Sequence, residues 1–221
     1  MTVDYAYQYL QFIARKNQIA QIKPNEFNFA INQAQRDYLD FLIGHVEQFR
    51  YNDATPRVAL GMNNKISKDL SPFKVNNQSI TVQNSIAPYP TNFYFLALMI
   101  DNNSKKVEWI SDDKLPKRLN SAIDPFSDSG KSFYIEDVLG WRIYGNANPI
   151  FVNYYTLPNQ ITWAYTVVNN RPVYDPVNSI QPQWNDASME EILKRTARIF
   201  GFSFEANGLI QFGEHAIQTG E

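Results

Sequence analysis

From residue 24 to about 48 the apolar residues return at three- and four-residue intervals: Phe27, Ala30, Ile31, Ala34, Tyr38, Phe41 and Leu42, then His45 or Val46. This is the period of an amphipathic helix, and other parts of the chain must cover its stripe. Pro24 suits a first helical position, and Glu26 brings a carboxylate to the positive end of the helix dipole. Gln33, Gln35, Arg36 and Asp37 fall off the stripe. A shorter stripe comes first: Tyr5, Tyr9 or Leu10, Phe12 and Ile13, separated from the long one by "QIKPNEF". Residues 1–52 therefore read as a helical hairpin. Near the other end, Ser188 and Glu191 have the spacing of a capping box. Ile192, Leu193, Ala197 and Phe200 then share a face, and Gly201 is placed to stop the helix. Residues 181–201 read as a C-terminal helix that joins the helical region.

Between these ends the period changes to two. "SITVQNS" points Ile80 and Val82 to one side, and "YPTNFYFLALMID" is apolar enough for a buried strand, closed by the turn "DNNSKK". "VEWIS", "SFYIED", "GWRIYG", "NPIFVNYYTLP" and "ITWAYTVV" continue the series. In the last, Ile161, Trp163, Tyr165 and Val167 alternate strictly. Short strands at this spacing, with turn residues between them, predict an antiparallel β domain. A short helix in "NKISKDL" and a helical turn in "KLPKRLNSAIDP" interrupt it, and "NNRPVYDPVNSIQPQW" reads as a loop. The expected architecture is α+β, with a β domain over 53–180 packed beside the N-terminal hairpin and the C-terminal helix. An arm follows over 202–221.

The chemistry of the sequence is sparse. "DPFSDSGKSFYIED" contains Gly130-Lys131-Ser132, the ending of a phosphate-binding loop. That loop requires glycine five residues earlier, where backbone N–H groups close on the phosphates, and Pro125 stands there without an N–H. A calcium loop fails at the same proline, which occupies the position of its first carboxylate. There is no cysteine, which removes disulfides, thiolate zinc sites and cysteine nucleophiles. The histidines, His45 and His215, are far apart, and no Gly-x-Ser-x-Gly elbow accompanies them. Paired carboxylates occur at Asp112/Asp113, Glu136/Asp137 and Glu190/Glu191. Neighbours in a strand face opposite ways, and acids at a helix start complement its dipole, so a structural role covers all three. Trp109, Trp141, Tyr154, Tyr155, Trp163 and Tyr165 could stack on sugars, but aromatics in strands ordinarily fill cores. The reading is non-enzymatic, with no cofactor and no metal.

The formal net charge is −2, so clustered cationic binding of nucleic acid or anionic membrane is not expected. The chain carries 23 Asn and 14 Gln. Neutral amide surfaces cost less to desolvate than charged ones, which suits extensive subunit contacts. No run reaches the length of a membrane span, and the first residues lack the pattern of a signal peptide, so manufacture in a cytoplasm is expected.

One longer stretch, "RLNSAIDPFSDSGKSFYIEDVLGWRIYGNANPIFVNYYTLPNQITWAY", resembles the β region of virion structural proteins of tailed phages, including crAss-like and other phages of Bacteroidetes hosts. The elements of the likeness are the Arg118-Leu119 opening, the "WRIYGN" strand and the "VNYYTLP" strand with its proline. "Tyr174-Asp175-Pro176…Ser179" then leads into "SMEEILKRTARIFGFSF", and "KPNEFNFAINQAQRDYLDF" is similar to the opening helix of those proteins. The resemblance implies a neck, ring or tail-adaptor protein at the head–tail connector, similar to the tubular adaptors that follow the portal in short-tailed phages. It implies a homo-oligomeric ring that contacts the portal and other neck or tail proteins and lets genomic DNA pass unread. A nearly neutral wall fits that passage, because tight phosphate binding needs many cations. The arm contributes Phe202, Phe204, Leu209, Ile210 and Phe212 as expected anchors to a neighbour or the portal. The alternatives are a carbohydrate-binding or glycan-degrading tail module, motivated by the aromatic strands, and a cytoplasmic assembly adaptor absent from the virion.

Overall fold

The structure is a computed structural model. It describes residues 1–16, 21–51, 64–120 and 131–201, with the side chains of 16 and 45–51 left aside. The chain divides into two compact units, one formed by residues 1–72 with 158–221, the other by 73–157. The α+β class expected from the sequence is observed.

In the first unit, helix α1 runs Val3–Lys16, α2 runs Pro24–Tyr51, residues 64–70 form α3, and α5 runs Asp186–Ile199. The long stripe is confirmed in outline: Phe27, Ala30, Ile31, Ala34, Tyr38 and Leu42 are buried on α2. Leu39 and Ile43 join them, while Phe41 turns outward, its ring 4.9 Å below the Arg195 guanidinium of α5. The stripe expected on α1 is corrected more deeply. The buried face is Val3, Ala6, Tyr7, Leu10 and Ala14, whereas Tyr5, Tyr9 and Phe12 face out. Two stripes of equal regularity exist on this helix, and the one with small residues packs, because Ala6 and Ala14 permit close approach.

Gln35, read as off the stripe, is buried. Together with Asn28 and Asn32 it forms a ladder to an extended segment at 159–163. Asn28 accepts from Trp163 N at 2.8 Å and donates to Trp163 O at 3.2 Å. Asn32 accepts from Ile161 N at 2.9 Å and donates to Ile161 O at 2.7 Å. Gln35 donates to Asn159 O at 3.1 Å. The asparagine amides present the donor and acceptor that a neighbouring strand would have offered, at a helical spacing that matches alternate residues of the segment. Ile161 and Trp163 are thereby buried as their alternation predicts.

Beyond them the pattern ends. Strand β8, Tyr165–Val168, is exposed along its length and pairs with β9, Arg171–Tyr174, inside the stretch read as a loop. The turn is Asn169-Asn170, both at positive φ, which asparagine tolerates and tight hairpins require. Pro172 is accommodated because this two-stranded ribbon has only edges.

Helix α5 buries Met189, Ile192, Leu193, Thr196 and Ala197. The expected Ser188–Glu191 capping box does not form. Asn185 is the cap, accepting from Ser188 N at 2.8 Å, and its amide also donates to Asp69 at 2.7 Å. Glu191 instead pairs with Lys194, and Phe200 leaves the helical face at the C-cap. Gly201 ends the helix at φ +75°, as its position predicts.

Among the described residues the second unit holds seven strands: β1 Lys74–Ile80, β2 Ile86–Pro88, β3 Phe93–Ile100, β4 Glu108–Trp109, β5 Phe133–Asp137, β6 Gly140–Tyr144 and β7 Ile150–Thr156. A short helix, α4, spans Leu115–Leu119. One sheet has the order β1-β7-β3, the other β2-β6-β5-β4, antiparallel except for β4 on β5. Strand β3, expected to be buried, is an edge, and Met99 alone among its residues is buried. The core gathers Ile80, Ala87, Met99, Ile143, Ile150, Val152 and Tyr154 about Trp141. Tyr89 and Phe93 meet the Trp141 ring edge-on at 4.8 and 5.0 Å. The β unit is shorter at both ends than the expected 53–180. Residues 64–70 are helical, and 159–163 are bonded to α2, so both belong to the helical unit.

Candidate interaction surfaces

The anchors expected on the arm, Phe202, Phe204, Leu209, Ile210 and Phe212, lie outside the described residues, as do His215 and the 121–130 part of the Gly130-Lys131-Ser132 segment. Ser132 is buried just before β5, next to Gly145 just after β6.

The carboxylate pairs separate into unrelated roles. Asp112 and Asp113 open a single exposed 3-10 turn, where the Ser111 side chain holds the Asp113 carboxyl below its usual range. Glu191 ion-pairs with Lys194 at 2.7 Å. Asp137 is bound by Arg142, whose Nε and Nη2 donate to Oδ2 at 3.1 and 2.6 Å. That guanidinium, followed by the Leu139 backbone N–H, holds the Asp137 carboxyl below the ordinary carboxylate range. Glu136, one residue away, is exposed. Among the described residues no three of His, Cys, Asp and Glu gather in metal-binding geometry.

The six candidate sugar-stacking aromatics are mostly core. Trp141, Tyr154, Tyr155 and Trp163 are buried, while Trp109 and Tyr165 are open. Trp163 is enclosed by Tyr7, Tyr165 and Tyr174 at ring separations of 4.3, 5.9 and 5.6 Å. Burial pushes the Tyr7 and Tyr38 phenols up from their usual range, consistent with structural side chains.

What the unit surfaces offer is apolar. On α1, Tyr5 and Phe12 are 56% and 57% exposed, and Tyr9 stacks on Tyr5 at 6.3 Å, giving an outward aromatic row on a helix whose opposite face is already packed. A small hollow beside this row is lined by Tyr5, Tyr9, Leu193 and Lys194. On the other flank of α1 a cleft of about 770 Å³ is lined by Phe12, Trp163 and Tyr174, with Asp4, Arg15 and Arg171. A groove of about 500 Å³ adjoins it between the start of α2 and the β8–β9 ribbon; Ile22, Pro24, Tyr165, Val167 and Pro172 line it, with Lys23 and Glu26 as its charged members. In the β unit, the β5–β6 turn carries Val138 and Leu139, 94% and 70% exposed. The outer row of α1 was read as a buried stripe; the β5–β6 turn falls between the two runs read as strands, but nothing in the sequence marked its two apolar residues as exposed.

No protein-family model matches the chain, and no curated protein matches it either. Among the described residues no helix is long and apolar enough to cross a membrane.

Proposed function

We propose that the chain is a non-enzymatic structural subunit of a tailed-phage neck, assembling into a ring at the head–tail connector and passing the genome through its lumen. The observation that supports this most is the outer row of α1. Tyr5, Tyr9 and Phe12 keep large apolar surface in solvent on a helix that is already anchored by its inner face. Contiguous exposed aromatics of this kind characterise contact surfaces. The resemblance to phage virion proteins supplies the setting, and the near-neutral charge suits a wall past which DNA slides. In this reading the arm at 202–221 reaches a neighbouring copy or the portal.

Negative-stain microscopy of the purified protein, with and without portal, tests the reading: rings support it. Mass spectrometry of purified virions must find the chain; its absence there would favour the assembly-adaptor role. Glycan binding or sugar release by a non-assembling protein would replace the proposal with a carbohydrate module. Deleting 203–221 tests the arm alone, because unchanged incorporation into virions removes its assigned role.

A further inference from the structure

We infer that the cleft between α1 and the β8–β9 ribbon is a binding site for a short oligosaccharide that carries carboxylates, such as a chain of uronic acids. Neither the ring nor its contacts require a ligand here, so the site stands apart from the ring reading above.

Every residue that lines the cleft belongs to the helical unit. Helix α1 turns Asp4, Gln8, Gln11 and Arg15 toward it, at the three- and four-residue spacing that stacks side chains along one face. The ribbon brings Asn170 from its turn and Arg171 from the start of β9. Phe12 and Tyr174 add ring surface, the first exposed and the second half-buried. At about 770 Å³ the cleft has the size of a small-molecule site.

The kind of polar group selects the ligand. Seven of the twelve lining residues are Asp, Asn, Gln or Arg, and none is Lys, Ser or Thr. Carboxylate, amide and guanidinium groups each hold two hydrogen-bonding atoms in one plane, a pair that can span neighbouring hydroxyls of a sugar ring. Hydroxyls both donate and accept, so they suit a wall in which donors and acceptors are mixed, and the aromatic rings take the C–H faces of the sugar. An apolar ligand would leave the same groups desolvated and unpaired. Asp4 is already set in place: Oδ1 accepts from Trp163 Nε1 at 3.0 Å and Oδ2 from Gln8 Nε2 at 2.7 Å. Gln11 is buried and donates from Nε2 to Ile22 O, while its Oε1 has no donor among the described residues. Buried acceptors are ordinarily satisfied, and a sugar hydroxyl supplies the donor that this one lacks.

The charge selects an acid. Arg15 and Arg171 both line the cleft, and among the described residues neither forms an ion pair, against the single carboxylate of Asp4. A guanidinium grips a carboxylate through two parallel hydrogen bonds. Phosphate is the poorer fit, because its greater charge meets Asp4 in the same wall and no lysine reinforces the arginines.

The full-length protein is to be screened on an array of oligogalacturonate, oligomannuronate and hyaluronan fragments beside neutral oligosaccharides. Calorimetry then compares the best-bound uronate with its methyl ester. An acidic oligosaccharide is expected to bind, and its ester to bind roughly tenfold more weakly or worse, because the ester has no charge for the arginines. Arg15→Gln, Arg171→Gln and Gln8→Ala, all at exposed positions, should each weaken binding by several-fold or more while the thermal unfolding temperature stays in place. No uronate bound on the array, equal affinity for the ester, or affinity untouched by the three substitutions overturns the inference. So does preferential binding of inorganic phosphate or a nucleotide. Negative-stain microscopy keeps the two readings separable. Rings without saccharide binding sink the cleft site alone, rings with binding keep both, and binding without rings keeps the site and favours the carbohydrate-module alternative.

Discussion

Both units bury aromatic clusters, around Trp141 in one and Trp163 in the other, but the helical unit also sets a row of aromatics in solvent. In the β unit Trp141 is enclosed, with Tyr89 and Phe93 edge-on against it and Tyr154 beyond Phe93 at 5.9 Å. In the helical unit α1 sends Tyr7 inward and leaves Tyr5, Tyr9 and Phe12 outside. The same residue types therefore hold both units together and, along α1, also furnish a face to offer. Aromatic content alone does not say which, because the outcome depends on whether smaller neighbours already supply a closer-packing stripe.

That contrast can be broken by substitution. Trp141→Ala is expected to cost about 3–5 kcal/mol in urea or thermal unfolding, since it empties the centre of the β core. A loss near zero would mean that the core is not organised around this ring. Asn32→Ala should follow, at about 2–3 kcal/mol, because it strips two bonds from Ile161 and leaves a partly buried N–H and C=O without their partner. Asn185→Ala removes a helix cap and is expected to cost about 1 kcal/mol. Tyr5→Ala and Phe12→Ala should stay within about 0.5 kcal/mol in the same assays while reducing self-association in sedimentation. A large stability loss at either position would place the outer row among structural residues and remove the contrast.

A last prediction concerns pH. The Asp137 carboxyl is held low by Arg142, so its contribution is present above the ordinary carboxylate range and fades as pH falls through the lowered value. Arg142→Ala should move the Asp137 titration upward, as read by NMR.

Much of the fold could be read in advance where one signal spoke alone. Helix α2 from Pro24, the stop at Gly201, and strands β5, β6 and β7 between their glycines and prolines all appear at their expected places. Reading failed where two signals competed. On α1 both stripes had helical period, and bulk pointed to the wrong one. At β9, the stretch from Asn169 was read as a loop although its Asn169-Asn170 turn marks a hairpin. Gln35 looked like surface because polarity was taken for exposure, although its amide is spent on Asn159 and Trp184. The candidate contacts were the least legible. Val138-Leu139 falls between "SFYIED" and "GWRIYG", so a connection was legible there, but its two apolar residues gave no sign that the pair projects into solvent.

The asparagine ladder has a further consequence. Side-chain amides neither gain nor lose protons across the accessible pH range. The fastening of 159–163 to α2 through Asn28 and Asn32 is therefore indifferent to acidity, and nearly so to ionic strength, in a way that an acid–base latch at the same place would not be. The same two-point grip recurs in the other unit, where Asn148 holds both the N–H and the C=O of Val82. A polypeptide rich in such joints keeps its internal seams closed through changes of medium that would loosen charged ones.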